Sequence, residues 1–151
     1  MGPSYNPISE DLRKKFKNIV GEENFLVEKE HRWAYALGAS IIEPEWLPDI
    51  ILLPKNTAQV SEILKLANEN KTPVTPRGSG TSLSAGTMTP YGGIILDLCS
   101  MNKIITIDIE NFMVELEPGV ICDDLNEKLK TLGFFSPLIP DQVRWLLLEG
   151  W

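Results

Sequence analysis

Histidine is nearly absent, with His31 the only one in 151 residues. A histidine-based metal site or a Ser-His-Asp triad needs more than that. His31 itself reads as a helix-surface residue. Cysteine is scarce too: Cys99 and Cys122 are the whole supply, and they do not sit at metal-ligand spacing. Two lone cysteines suit a reducing compartment, so the expected localisation is the cytoplasm. Long apolar runs are missing. None approaches the roughly 18 residues of a membrane span, and the opening MGPSYNPISE is too polar for a secretory signal. The glycosylation-like triplet Asn70-Lys71-Thr72 is therefore read as chance. Positive charge is also in deficit. Fourteen Lys and Arg face 21 Asp and Glu, for a net charge of −7. That excludes nonspecific nucleic-acid binding, which needs clustered cations.

What is there is ordinary in bulk and informative in order. Hydrophobic content of 43% and charged content of 23% fit a soluble globular chain. Its length suffices for one domain with a core, or for two small lobes. Ser9 caps a first expected helix, with Leu12, Phe16, Ile19 and Val20 on one face and Gly21 as its stop. VEKEHRWAYALG reads as a second helix, and IIEPEWLP as a proline-broken connector. The part before Pro48 is thus a helical preface.

Beyond it the pattern changes. DIILLP is a short buried strand bounded by prolines. A helix follows, capped by Asn56 or Thr57, with Val60, Ile63, Leu64 and Ala67 at helical spacing. TPVTP is a second strand, so the three pieces read as a βαβ unit with a parallel pair. GGIILDL gives a third strand. KIITIDIENFMVELEPG reads as a hairpin, with Ile105, Ile107, Val114 and Leu116 alternating and Glu110-Asn111 at its turn. DDLNEKLKTLG is a last helix, with Leu125 and Leu129 four apart and Asp123 and Asp124 at the positive end of its dipole. The fold class expected is α+β.

Between the second and third strands lies TPRGSGTSLSAG, rich in glycine and hydroxyls. From Asn70 to Leu96 there is no acid, while Lys71 and Arg77 are present. The flanks Met1–Glu69 and Asp97–Trp151 carry −3 and −6. An acidic chain thus turns locally basic where its glycines cluster. Gly78 and Gly80 permit positive φ and close approach of a ligand. Successive backbone N–H groups in such a turn form an anion-binding concavity. Ser79, Thr81 and Ser82 add hydroxyl donors, and Arg77 adds a cation or braces the loop. A phosphate or pyrophosphate is the natural guest; a solvent-exposed Gly/Ser connection is the plain alternative. The common nucleotide motifs fit poorly. No lysine lies between Arg77 and Gly93, as a Walker loop requires, and Gly78-Ser79-Gly80-Thr81-Ser82 runs on to Leu83 without opening a helix.

VTPRGSGTSLSAG, GGIILDLCSMNKI and IDIENFMVELEPGV, in that order and spacing, resemble the FAD-linked oxidases of the vanillyl-alcohol-oxidase and p-cresol-methylhydroxylase type. Within that family the chain looks most like the glycolate oxidase and D-lactate dehydrogenase group. The resemblance runs from about Pro48 to Asp141 and implies the amino-terminal portion of a PCMH-type FAD-binding domain. It implies a parallel βαβ lobe and a strand-rich second portion. It also implies that Pro76, Arg77, Gly78, Ser79, Gly80, Thr81, Ser82 and Leu83 wrap the FAD pyrophosphate. Ser82 departs from the Gly or Asn often found there. Asp97 and the Glu117-Pro118-Gly119 turn enter as structural signatures without chemistry.

By the same resemblance the chain divides into a helical extension (1–47), a partial FAD-binding domain (48–141) and a divergent apolar tail (142–151). The family's second glycine-rich stretch, its histidine-rich segment and its substrate domain have no counterpart here. The expected function is that of an FAD-binding fragment of a glycolate- or D-lactate-type oxidoreductase. It would bind FAD weakly, hold no catalytic or metal-binding residues, and not be competent alone. The alternatives are a flavin- or nucleotide-binding module completed by a partner chain, and a structural remnant that binds nothing. The apolar tail predicts self-association, with an intramolecular plug as the other outcome. A small 2-hydroxyacid is the substrate expected only of the full-length enzyme.

Overall fold

The computed structural model describes residues 5–36, 46–82 and 85–137. The first helix, α1 (Glu10–Val20), begins where Ser9 Oγ accepts from the Leu12 N–H at 3.2 Å. It ends at Gly21, whose φ of 88° suits glycine. Leu12, Phe16 and Val20 are four residues apart and buried in one stripe. A short 3-10 turn leads into strand β1 (Phe25–Leu26) and then helix α2 (Lys29–Ala36). The preface is therefore not purely helical. Two residues are too few to carry a strand signature, and β1 exists because strand β2 (Ile50–Leu52) offers it an antiparallel edge.

Helix α3 (Thr57–Glu69) is capped by Asn56, whose Oδ1 accepts from Gln59 N–H at 3.0 Å. Ile63 and Ala67 are buried, with Val60 and Leu66 packed beside them. Leu64, which its spacing places on this face, is instead 45% exposed. Leu66 takes its place, which rotates the apolar stripe.

Strands β3 (Val74–Arg77) and β4 (Ile94–Asp97) complete a four-stranded sheet ordered β1-β2-β4-β3. The strands flanking α3 are indeed parallel, but β4 lies between them and pairs with both. The βαβ unit is thus split. Every residue of β2 and β4 is buried, so both read as unbroken apolar runs. Ile50, Leu52, Ile63, Ile94 and Leu96 share one core with Ile8, Leu12, Phe16 and Val20.

The chain then forms a hairpin of β5 (Ile104–Asp108) and β6 (Met113–Leu116), followed by helix α4 (Cys122–Thr131). Ile104, Ile107, Val114 and Leu116 pack on Val120, Leu125 and Leu129. Ile105, which simple alternation turns inward with Ile107, is 56% exposed. The pairing slips between Ile104 and Thr106. An extra residue on one strand reverses the alternation, so Ile104 points inward in its stead. The turn is anchored by Asp108, whose carboxylate accepts from Asn111 N–H at 3.0 Å and Asn111 Nδ2 at 2.7 Å. Those hydrogen bonds hold its pKa below the ordinary aspartate value.

Candidate functional site

The loop of interest leaves the carboxyl end of a parallel strand, where ligands settle in open α/β sheets. β3 is the edge strand. Its carbonyl side toward β4 is marked by Pro73 (accepting from Ile94 N–H, 2.9 Å) and Arg77 (accepting from Leu98 N–H, 2.9 Å). Pro76 falls on the alternate register, so its missing N–H faces the open edge and costs no ladder bond. Arg77 is paired in register with Asp97 at the end of β4.

After Arg77 the chain turns. Gly80 is buried and adopts a φ of 76°. A Cβ placed there would collide with Arg77 Nη2. The arginine therefore folds back across the glycine. Its Nη1 donates to the Tyr35 carbonyl at 3.3 Å, and its guanidinium carbon sits 5.0 Å from the centre of the Tyr35 ring. That distance is within reach of a cation–π attraction. Ser79 Oγ and Thr81 Oγ1 are 3.2 Å apart and share a hydrogen bond. Gly78 is buried, and Ser79, Thr81 and Ser82 are half-buried. Leu83 lies outside the described residues. The returning limb is fixed by Thr89, whose hydroxyl donates to the Trp46 carbonyl at 3.0 Å.

Asp97 acts as a structural acceptor. Its Oδ1 takes the Cys99 N–H at 2.8 Å, and its Oδ2 takes the Tyr35 hydroxyl in a short hydrogen bond. Burial, followed by the hydrogen bond to Asp97, raises the Tyr35 pKa well above the ordinary tyrosine value. Tyr35 is the site residue that the sequence does not reveal. It stands 42 positions from Arg77 and 62 from Asp97, so no local spacing marks it.

The glycines of the two later family signatures are close-approach devices. A Cβ on Gly93 would run into the Pro73 carbonyl oxygen, and one on Gly119 would meet those of Cys99 and Leu98 at 2.6 Å. Glu117 reaches back through both its main chain and its carboxylate. Its N–H donates to the Lys103 carbonyl at 2.9 Å, and its Oε2 accepts from Lys103 N–H at 2.8 Å. Among the described residues, no group of His, Cys, Asp or Glu is arranged to hold a metal ion. Nor is any helix there long and apolar enough to cross a membrane.

A mostly parallel sheet carrying a glycine- and hydroxyl-rich loop at the carboxyl end of its edge strand, followed by a separate hairpin, defines a class of cofactor-binding α+β domain. The chain belongs to a family of FAD binding domains, whose model matches residues 48–151. It is 34% identical over 145 residues to the glycolate oxidase protein GlcD of Bacillus subtilis, covering 95% of this chain and 30% of that protein. It is 33% identical over 138 residues to a D-lactate dehydrogenase of Anaerostipes hadrus, covering 91% and 29%. Among solved structures, p-cresol methylhydroxylase superposes with a TM-score of 0.70 at 30% identity, over 80% of this chain and 24% of that one. An alkyldihydroxyacetonephosphate synthase superposes at 0.82 but 19% identity, over 98% and 29%, and speaks for the fold alone. The chain spans under a third of the length of these relatives. It has part of a PCMH-type FAD-binding fold.

Proposed function

We propose that the loop from Pro76 to Leu83 holds the pyrophosphate of FAD within a flavin-dependent 2-hydroxyacid oxidoreductase of glycolate or D-lactate type. One observation carries the reading. The longest acid-free stretch of this acidic chain, Asn70–Leu96, holds the loop whose backbone bends at buried Gly80, at the carboxyl end of a parallel edge strand. The donors fit the group: amides of a glycine turn and the hydroxyls of Ser79, Thr81 and Ser82 favour an anion. When bound, FAD takes up the two electrons of hydroxyacid oxidation. This chain's own part is to bind and orient it.

No acid, base or nucleophile stands beside the loop in a catalytic arrangement among the described residues. We assign this stretch cofactor binding, with the chemistry carried by the remaining length of a full oxidoreductase, and propose a cytoplasmic location for it. A half-enclosed loop buries little of a ligand. Titration of the chain with FAD, followed by quenching of flavin fluorescence, should give binding no tighter than high micromolar. Absence of any binding, or nanomolar affinity, would overturn this reading.

A second reading, a module completed by a partner chain, has one observation in its favour. The hairpin and the segment after α4 expose Phe112 at 81%, Met113 at 62% and Phe135 at 72% of their surface. Such an apolar patch marks a surface that is covered in the working protein. Reconstitution with a chain carrying the relatives' remaining length would tighten FAD binding under that reading and leave it unchanged otherwise.

A further inference from the structure

We propose that Tyr35 is a positioning residue for the flavin loop, so that helix α2, outside the matched family segment, sets the geometry of the cofactor site. The inference rests on the FAD reading for its functional meaning, but on the contacts of Tyr35 for its physical content.

Tyr35 makes three separate contacts at one place. Its hydroxyl donates to Asp97, its ring lies beneath the Arg77 guanidinium at 5.0 Å, and its carbonyl accepts from Arg77 Nη1 at 3.3 Å. Asp97 and Arg77 are themselves register partners at the ends of β4 and β3. One residue thus ties both strand ends to α2. The consequence falls on Gly80. Arg77 is held across the glycine's open face, where a Cβ would collide with it. With Arg77 held there, the turn at Gly80 is pinned between the guanidinium and the sheet edge. Arg77 is then a brace, and the anion is met by the amides and hydroxyls of the loop. Of the two roles open to Arg77 on sequence grounds, this geometry selects the second.

The contacts also separate two functions of the tyrosine. Tyr35→Phe keeps the ring and the carbonyl and loses only the bond to Asp97. Tyr35→Ala keeps the carbonyl and loses both ring and hydroxyl. A graded response is therefore expected, with Tyr35→Phe intermediate.

Amide hydrogen exchange in the FAD-free protein tests the brace directly. In Tyr35→Ala, exchange at Gly78, Ser79, Gly80, Thr81 and Ser82 should quicken by about tenfold, the scale of one lost hydrogen bond to a charged group. Protection of Ile63 and Ala67 in α3 should stay as in the parent. Unchanged exchange in the loop overturns the proposal. Equal acceleration in loop and α3 also overturns it, since the tyrosine would then serve only global stability. Tyr35→Phe, which removes one oxygen, guards against a failure of the alanine variant to fold. FAD titration of the same proteins is read separately. Failure of the parent to bind FAD defeats the functional reading while the exchange result still decides the brace. Parent-like FAD affinity in a Tyr35→Ala protein with a loosened loop defeats the positioning role.

Discussion

At the residue scale, Gly80 and Tyr35 are coupled through Arg77, and each predicts a distinct outcome. Gly80→Ala places a methyl where Arg77 Nη2 now lies, on a backbone with φ of 76°. The colliding atom is the end of a flexible side chain, so Arg77 moves away rather than the fold failing. The cost in unfolding free energy is about 1–3 kcal/mol for the left-handed conformation. A separate effect should fall on FAD affinity, weakened by about tenfold as the brace is lost. Chemical denaturation and FAD titration check the two separately. Adding Arg77→Ala to Gly80→Ala should cost less than the sum of the single changes, because the two act on one contact.

Tyr35 carries a pH dependence with a definite sign. Its phenol pKa is raised in the folded chain, first by burial and then by Asp97. Above the ordinary tyrosine range, near pH 10, the unfolded chain therefore releases a proton that the folded chain retains. The stability that Tyr35 contributes is fully present below that range, begins to fall as pH rises past it, and is lost as pH passes the raised folded value. Tyr5 and Tyr91 are tyrosines too, so the comparison must be with Tyr35→Phe. Urea unfolding at pH 9 and pH 11, about one unit either side of that value, should show a smaller alkaline loss in Tyr35→Phe. Identical losses would show that the phenol is not shielded.

At the element scale, the hairpin tests how a bulge governs burial. Ile105 is exposed, whereas Ile104 packs on the α4 cluster. Ile105→Thr should therefore change stability by no more than about 0.5 kcal/mol. Ile104→Ala removes apolar contacts and should cost roughly 1–2 kcal/mol, less than for full burial because Ile104 is only half-buried. Equilibrium denaturation of the two variants distinguishes this register from simple alternation, which would reverse the order. The same element shows what a sequence can and cannot carry. Strand, turn and partner helix are local patterns, and all three are readable. The slip between Ile104 and Thr106 depends on the opposite strand and leaves no mark on its own. Likewise β2, α3 and β3 are each legible from apolar runs and the Asn56 cap. That β4 inserts between β2 and β3 is a choice of tertiary pairing, which the order of elements along the chain does not encode. The loop is legible because glycine, hydroxyls and missing acids are compositional facts. Tyr35 is not, because only the folded sheet brings it to Arg77 and Asp97.

At the scale of the whole molecule, the two clusters differ in how well they are closed. The sheet core is wrapped by α1 and α3, and its central strands are fully buried. The hairpin cluster is covered on one side only. β5 and β6 pair only with each other among the described residues, which leaves both edges open to another strand. Phe112 stacks edge-on against Phe134 at 5.9 Å, yet most of its own surface faces outward. Beside it runs an apolar groove of about 410 Å³, walled by Ile107, Leu116, Leu125 and Phe135. An open edge next to exposed aromatics favours association of copies, and a symmetric dimer would close both faces at once. The tail at 142–151, itself expected to drive association, lies outside the described residues, so the two sources must be separated. Light scattering at tens of micromolar, a concentration range that populates a weak dimer, should find the isolated chain associated. Phe112→Ser combined with Met113→Ser should return it to monomer if the hairpin is the contact. A chain ending at Asp141 should do so if the tail is. A monomeric parent would defeat both and leave the apolar hairpin as a surface met by the remaining length of a longer protein.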